Sequence, residues 1–227
     1  VDSDYVVFAT LFPILDHSLY AIRMKPVQHH GIAYSYEKRE FDGMFIGVND
    51  ISFRYYQDSL VVVGGDVPMG HAEDAYLELD RKARERFAVR EELARWSAHD
   101  YQPPDSVPFI GPYHPGSKRR FAATGFKAWG ITHAMIASRL ITDMVGGREN
   151  AWAELYSPTR MHGALRTMAE QGKSAFEHLV KGGRRCPHMG CSMSLNEQDR
   201  TYDCPCHGSR FSETGEVLWG PAVENLR

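Results

Sequence analysis

The sequence RRCPHMGC at residues 184–191, followed by DCPCHGSRF at residues 203–211, contains all four cysteines of this 227-residue chain. The side chains in it that commonly bind metals are Cys186, His188, Cys204 and His207. Two thiols and two imidazoles at such short spacing indicate a metal site, and tetrahedral zinc is one possible occupant. Zinc sites more often use Cys-x-x-Cys pairs, however, and a zinc ion leaves Cys191 and Cys206 unexplained.

The composition excludes several other classes of protein. The chain has 26 Lys and Arg against 29 Asp and Glu, a net charge of −3, so it has no general attraction to nucleic acid. The longest apolar stretch, residues 6–15, is interrupted by Thr10 and Pro13, so we predict no membrane span. The cysteines cluster rather than spread over a disulfide framework, which favours a reducing compartment, the cytoplasm. The chain begins at Val1 inside a predicted strand, so we expect it to be the C-terminal part of a longer protein.

The metal-binding pattern resembles the Rieske [2Fe–2S] family, in which two cysteines hold one iron and two histidines hold the other. The resemblance implies that Cys186 and Cys204 are thiolate ligands. It also implies that His188 and His207 each bind through one ring nitrogen. The prolines and glycines beside the ligands let two tight loops approach the cluster and direct backbone N–H groups at its sulfurs.

The same resemblance assigns roles to four further residues. Cys191 and Cys206 match the pair that forms a disulfide between the cluster loops in the respiratory branch of the family, and Ser209 matches a hydroxyl that hydrogen-bonds a cluster sulfide. Phe211 stands where many relatives carry Tyr, so we expect a lower reduction potential than in those relatives. Only residues 181–185 separate the preceding helix from the first ligand, which implies a truncated Rieske lobe that leans on the domain before it.

Upstream of the cysteines the sequence predicts both strands and helices. An apolar strand is expected in residues 1–10 and a short strand in residues 121–124. Strand-length runs separated by turn residues predict an antiparallel sheet from residues 20–24, 28–36, 44–48, 51–56 and 59–63. Amphipathic periodicity predicts helices over residues 73–87, 131–145 and 159–179. The Pro- and Gly-rich residues 101–115 are expected to form an irregular loop.

Three of these upstream segments resemble the C-terminal half of FAD-dependent oxidoreductases of the D-amino acid oxidase and glycine oxidase superfamily. DYVVFAT at residues 4–10 is similar to a strand that ends in an Ala-Thr turn beside the cofactor. DSVPFIG at residues 105–111 matches the family's D-x-x-P-x-I-G loop. ATGF at residues 123–126, followed by WGIT at residues 129–132, matches the last FAD-contacting segment. The phosphate-binding G-x-G-x-x-G sequence is not present, in agreement with the expectation of a C-terminal part.

The resemblance implies a set of cofactor-binding residues, namely Ala9, Thr10, Gly125, Phe126, Gly130, Ile131 and Thr132. Glycine permits the backbone to lie against a planar ring, and the positive end of the following helix stabilises a reduced, negatively charged flavin. The alternative is that Gly125 and Gly130 serve only a tight strand-to-helix turn. Arg54 is a candidate to bind a substrate carboxylate, against the alternative that it pairs with a nearby acid or points to solvent.

We therefore predict an α+β chain with three parts. Residues 1–158 form the antiparallel-sheet substrate domain and the remnant of an FAD-binding α/β domain, residues 159–181 form a linking helix, and residues 182–227 form a small all-β Rieske lobe. The predicted function is FAD-dependent oxidation of a small amine or amino-acid-like substrate, with electrons passed through the [2Fe–2S] cluster to an unknown acceptor. A Rieske electron-transfer protein whose upstream domain only docks a partner is the alternative, and a structural zinc module is the third possibility. A ring-hydroxylating oxygenase is excluded because no histidine follows His207 to build a mononuclear iron site.

Overall fold

The computed structural model describes residues 2–13, 16, 18–38, 42–47, 50–69 and 74–226. The helices in these ranges are α1 (Tyr20–Arg23), α2 (Ala75–Arg86), α3 (Gly130–Val145), α4 (Ala153–Tyr156) and α5 (Ala164–Val180). The strands are β1 (Val6–Phe8), β2 (Lys25–Ser35), β3 (Met44–Phe45), β4 (Ser52–Tyr56), β5 (Ser59–Pro68), β6 (Glu92–Gln102), β7 (Phe109–Pro112), β8 (Arg120–Thr124), β9 (Ser194–Asn196), β10 (Thr201–Asp203), β11 (Arg210–Ser212) and β12 (Val217–Trp219). The predicted α+β class is confirmed.

The largest sheet has five antiparallel strands in the order β3-β4-β5-β2-β6. Helix α2 packs on one face of this sheet. Leu79 of the helix lies in a hydrophobic core with the sheet residues Ile32, Tyr34, Leu60 and Val62. These sheet residues alternate with more exposed neighbours because successive side chains of a strand point to opposite faces. The predicted antiparallel sheet is therefore confirmed in β2 to β5, whereas β6 is not among the predicted strands. Val48 of one predicted strand and Glu73 of the predicted helix lie outside the described residues.

A second sheet of three strands has the order β1-β8-β7, and β1 runs parallel to β8. Helix α3 covers this sheet, and its Ala137 and Leu140 pack against Ile110 and Phe121. A parallel strand pair covered by a helix is the pattern of an α/β unit. This sheet is the part of the fold that matches the predicted FAD-binding remnant, while Val1 of its predicted first strand lies outside the described residues.

The C-terminal sheet has four antiparallel strands in the order β12-β11-β10-β9. Its small core contains all four cysteines together with Phe211 and Ala222. We call residues 182–226 the C-terminal lobe. Helix α5 precedes the lobe and packs against α1, where the side-chain amide of Gln171 donates a hydrogen bond to the Met24 carbonyl (3.3 Å).

Two sequence-based expectations are wrong in detail. Residues 20–23 of the predicted strand 20–24 form helix α1 instead, because the Asp16 carboxylate accepts the backbone N–H groups of Tyr20 (2.5 Å) and Ala21 (3.0 Å) and caps a helical turn. Residues 101–115 are not wholly irregular, because β6 extends to Gln102 and β7 lies inside the span. The Pro and Gly content of the span conceals both strands.

Candidate metal centre and cofactor site

Two loops with the same backbone hydrogen-bond pattern carry the predicted ligands. In the first loop Gly190 N–H donates to the Cys186 carbonyl (2.8 Å), and in the second Gly208 N–H donates to the Cys204 carbonyl (3.0 Å). Both glycines have positive φ, 77° at Gly190 and 80° at Gly208, a region that side chains rarely tolerate. Each loop therefore reverses direction within five residues and presents a cysteine and a histidine on the same side.

The loops bring the four predicted ligands together. The thiols of Cys186 and Cys204 are buried and hydrogen-bonded to each other. The imidazole rings of His188 and His207 lie 5.1 Å apart, nearly perpendicular. A disulfide joins the loops through Cys191 and Cys206, whose Cα atoms are 6.7 Å apart. The sulfur atoms of Cys191, Cys204 and Cys206 form a close buried group, but the disulfide leaves only Cys204 of the three with a thiol to offer.

Electrostatics favour the metal-binding state in three of these four side chains, and Cys204 is the exception. The hydrogen bond from Cys204, with backbone N–H groups of the first loop, lowers the pKa of Cys186 to about 6, while the shared proton and burial raise the pKa of Cys204. Burial, with a smaller contribution from His188, lowers the pKa of His207 to about 4. Burial also lowers the pKa of His188. These shifts favour neutral imidazoles and a Cys186 thiolate, whereas Cys204 has to release its proton when it binds a metal.

The donor set fits a Rieske [2Fe–2S] cluster. Among the described residues, Nδ1 of His188 and both ring nitrogens of His207 are buried without a hydrogen-bond partner, which is costly unless a metal accepts the lone pairs. Ser209 accepts the Ala222 N–H (3.0 Å), and its hydroxyl contributes to the lowered pKa of the Cys186 thiol. Phe211 is fully buried in the same core and offers no hydroxyl.

One face of β6 holds the C-terminal lobe. Arg95 donates to the Gln198 side chain (2.9 Å), Ser97 donates to Asp199 (2.5 Å) and the His99 ring lies 4.6 Å from the Trp219 ring. The Tyr101 hydroxyl donates to the main-chain carbonyl of His207 (3.0 Å). These four β6 residues alternate along the strand and therefore share one face.

A buried ionic network reinforces the same interface. Arg210 donates to Asp203 (2.7 Å) and to Asp199 (2.9 Å), and Gln28 of β2 donates to Asp203 (2.9 Å). Burial alone would lower the pKa of Arg210, but the two carboxylates outweigh it and hold that pKa above its ordinary value. Burial and Arg210 lower the pKa of His99 to about 3, so this imidazole is neutral.

The predicted cofactor-binding residues lie in two segments that the fold joins. The Thr124 hydroxyl donates to the Leu11 carbonyl (2.5 Å), which ties the segment before α3 to the turn that contains Ala9 and Thr10. The other face of β6, opposite the C-terminal lobe, contacts the segment before α3, because the Asp100 carboxylate accepts the backbone N–H of Ala128. The fold therefore brings the two segments to one edge of the sheet formed by β1, β8 and β7.

Gly125 and Gly130, the two glycines expected to contact the cofactor, differ in the space around them. Gly125 has φ +73°, and a Cβ there would lie 2.6 Å from Pro103, so the close approach is to protein. At Gly130 a Cβ would meet only Phe126, at 3.9 Å, and the following Ile131 and Thr132 are exposed. The N-terminus of α3 thus offers free N–H groups on an open face, which fits a flat cofactor. Gly125 is therefore packed against protein, whereas the space beside Gly130 is open.

Arg54 lies far from that segment. Across the sheet, Arg54 of β4 pairs with Val61 of β5, which pairs with Ala33 of β2, which pairs with Ala94 of β6. Asp100, which contacts the segment before α3, lies six residues further along β6 than Ala94. At the rise of a strand, these six residues separate Ala94 from Asp100 by about 20 Å. The guanidinium is 6.0 Å from the Tyr56 ring. The fold does not bring Arg54 to the cofactor segment. Sequence reasoning missed Asp100 and Tyr101, whose contacts lie on other segments of the chain.

Two family models match the chain. The model described as FAD dependent oxidoreductase matches residues 2–144, and the model described as Rieske [2Fe-2S] domain matches residues 177–227. The chain is 28% identical to a protein described as a Rieske 2Fe-2S iron-sulfur protein, YhfW of Bacillus subtilis, over all of this chain and 55% of that protein. It is 49% identical to the cytochrome b6-f complex iron-sulfur subunit of Nostoc punctiforme over 18% of this chain and 23% of that protein. The chain thus spans about half the length of YhfW.

Solved structures share the fold of the larger part. Glycine oxidase from Geobacillus kaustophilus has a TM-score of 0.50 at 21% identity, covering 61% of this chain and 40% of that chain. Iminodiacetate oxidase from Chelativorans sp. BNC1 has a TM-score of 0.53 at 18% identity, covering 70% of this chain and 47% of that chain. Within the described ranges, no helix has the length and apolar character needed to cross a membrane.

Proposed function

Since the chain belongs to the FAD dependent oxidoreductase family and carries a Rieske [2Fe–2S] domain at its C-terminal end, we propose that it oxidises a small amine or amino-acid-like substrate with FAD and passes the electrons through the cluster. The observation that carries this proposal is the packing of the His207 loop on the same strand, β6, whose other face holds the segment before α3. One strand then supports both redox centres. The names of the glycine oxidase and iminodiacetate oxidase neighbours suggest the substrate class.

The residues that would hold the cluster are Cys186 and Cys204 on one iron and His188 and His207 on the other. When bound, the cluster supplies one-electron transfer. Ser209 donates a hydrogen bond towards the Cys186 sulfur, and backbone N–H groups of the first loop do the same, which stabilises negative charge at that end of the site.

The residues that would contact FAD are the two joined segments, through Ala9 and Thr10 on one side and Gly125, Phe126, Gly130, Ile131 and Thr132 on the other. When bound, FAD supplies two-electron chemistry as a hydride acceptor. The N-terminus of α3 stabilises negative charge, and the Asp100 carboxylate fixes the backbone turn at Ala128 that leads into this helix.

The proposal includes the division of the chain into residues 1–158, 159–181 and 182–227, and it places the protein in the cytoplasm with a separate electron acceptor. Arg54 would bind a substrate carboxylate only if the substrate were long enough to reach from the segment before α3 to β4. The alternative is a Rieske electron-transfer protein whose upstream domain docks a partner. Arg54 is distant from the segment before α3, so among the described residues a substrate carboxylate would have no identified partner beside the flavin. This observation favours the alternative.

The test uses the whole native protein. We expect two irons, two acid-labile sulfides and one FAD per chain, and we expect anaerobic addition of glycine or iminodiacetate to bleach the flavin and produce the electron paramagnetic resonance (EPR) signal of a reduced Rieske cluster. A Cys204→Ser variant should keep flavin bleaching and lose the signal. Brown protein without flavin would favour the alternative, and colourless protein with one zinc would contradict both redox functions.

A further inference from the structure

The two imidazoles of the candidate cluster site are enclosed to different degrees. His207 is 1% exposed, and both of its ring nitrogens are buried. His188 is only half-buried, and among the described residues its Nδ1, but not its Nε2, is buried without a hydrogen-bond partner. If both rings bind iron through Nδ1, the free edge of His188 reaches the surface and the free edge of His207 does not. The site is therefore open on one histidine and closed on the other.

Tyr101 anchors the backbone of the loop that carries His207. Its hydroxyl is fully enclosed and donates to the main-chain carbonyls of His207 (3.0 Å) and Gly220 (3.3 Å). The loop lies so close that a Cβ at Gly208 would be 2.7 Å from the Tyr101 oxygen and 2.9 Å from Pro26. The loop backbone thus rests directly on β2 and β6, with no space for a side chain between them.

The other side of Tyr101 faces the cofactor segment. Its ring lies 5.2 Å from the Phe12 ring, and Phe12 follows the turn that contains Thr10. Phe12 also lines a cavity of about 310 Å³, together with residues 10–11 and 218–223. Tyr101 therefore stands between the His207 loop and the segment proposed to contact FAD.

We propose that Tyr101 is a positioning residue that keeps the His207 edge of the cluster closed against the chain's own flavoprotein domain, which makes His188 the imidazole that an outside redox partner can reach. This inference rests on the proposed [2Fe–2S] cluster but not on the substrate. It predicts that reagents and partners from solution act on the cluster site through the first loop only.

The experiment labels the native, cluster-containing protein with diethylpyrocarbonate, which carbethoxylates accessible imidazole nitrogens, and locates the adducts by peptide mass spectrometry. In the wild type we expect rapid labelling of His188 and much slower labelling of His207, through rare opening of the loop. A Tyr101→Phe variant keeps the ring against Phe12 and loses the hydroxyl that holds the His207 carbonyl. We expect the labelling rate of His207 in this variant to rise about fivefold, the effect of one lost hydrogen bond on the opening equilibrium.

The matched control is Tyr36→Phe, because Tyr36 is buried in the core beneath α2 and makes no contact with the lobe among the described residues. It should leave both labelling rates unchanged. A spectroscopic measurement separates positioning from simple loss of stability: the g values of the dithionite-reduced cluster should shift in Tyr101→Phe and not in Tyr36→Phe.

Two results would overturn the inference. Equal labelling of both histidines in the wild type would show that the His207 edge is open. An unchanged His207 rate together with unchanged g values in Tyr101→Phe would show that the hydroxyl does not position the loop. Neither measurement uses flavin or substrate, so a protein that holds the cluster but oxidises no amine would still give a readable answer.

Discussion

Removal of the positive charge in the buried network should weaken the attachment of the C-terminal lobe. Arg210 is 5% exposed and makes hydrogen bonds of 2.7 and 3.1 Å to Asp203 and of 2.9 Å to Asp199. An Arg210→Met variant keeps much of the side-chain volume and leaves two buried carboxylates without their cation. Loss of one partner from a buried ion pair typically costs about 3–5 kcal/mol.

The lower part of that range is expected, because both carboxylates keep other donors. Tyr76 donates to Asp199 (2.6 Å), and Gln28 donates to Asp203 (2.9 Å). We therefore expect the free energy of unfolding to fall by about 3 kcal/mol at pH 7, and Tm to fall by about 6–12 °C for a chain of this size. The difference in free energy of unfolding between the wild type and Arg210→Met should become smaller below about pH 5. The reason is that protonation neutralises carboxylates that have lost their cation in the variant.

The assay compares urea unfolding midpoints of the cluster-containing wild type and variants under identical conditions, followed by circular dichroism and by the visible absorption of the cluster. Arg200→Met is the matched control, because Arg200 lies in the same lobe in an exposed pair with Glu213 and its loss should cost less than about 1 kcal/mol. An Asp203→Asn change added to Arg210→Met should restore part of the stability. A loss no greater than that of the control, or no recovery with Asp203→Asn, would refute the reasoning.

Three further outcomes are expected. Phe211→Tyr should raise the midpoint potential of the cluster by about 60 mV if the hydroxyl favours the reduced state tenfold, and an unmoved potential in a redox titration would contradict this. His30 and His99 are neutral when folded, with pKa values lowered by burial to about 4 and about 3, so their contribution to stability should be constant above pH 6.5 and fall below it. Each histidine adds at most about 1.4 kcal/mol per pH unit, which urea midpoints at several pH values would measure. Gly125→Ala should cost about 3 kcal/mol through positive φ and contact with Pro103, whereas Gly172→Ala, with open space on α5, should be neutral or stabilising in the same assay.

The parts of the site that could be predicted from the sequence are those set by local chemistry. Cys186 and His188 lie within three residues of each other, and Gly190 and Gly208 mark the turns that orient the ligands. Strands β2 to β5 of the five-stranded sheet were predictable for the same reason, since alternation along each strand is a local pattern, whereas β6 was not predicted. The positions of the candidate ligands follow from the same short loops.

The parts that could not be predicted depend on contacts between distant segments. Ser97, His99 and Tyr101 alternate along β6 as polar residues do on a solvent-facing strand, yet they are covered by a lobe that begins more than 80 residues later. Helix α1 was predicted as a strand because the apolar run around Tyr20 gives no sign that Asp16 caps it. The separation of Arg54 from the segment before α3 also appears only in the sheet register.

Strand β6 has a consequence for how such a protein can be assembled or redesigned. One face of the strand carries Tyr101 under the lobe, and the next residue back, Asp100, holds the turn before α3 from the other face. A Rieske lobe grafted onto another flavoprotein would therefore need a host strand with the same alternating partners, and insertion of a single residue in β6 would exchange the two faces. The lobe is thus not a module that can be moved alone, and a change in β6 would require a matching change in the lobe.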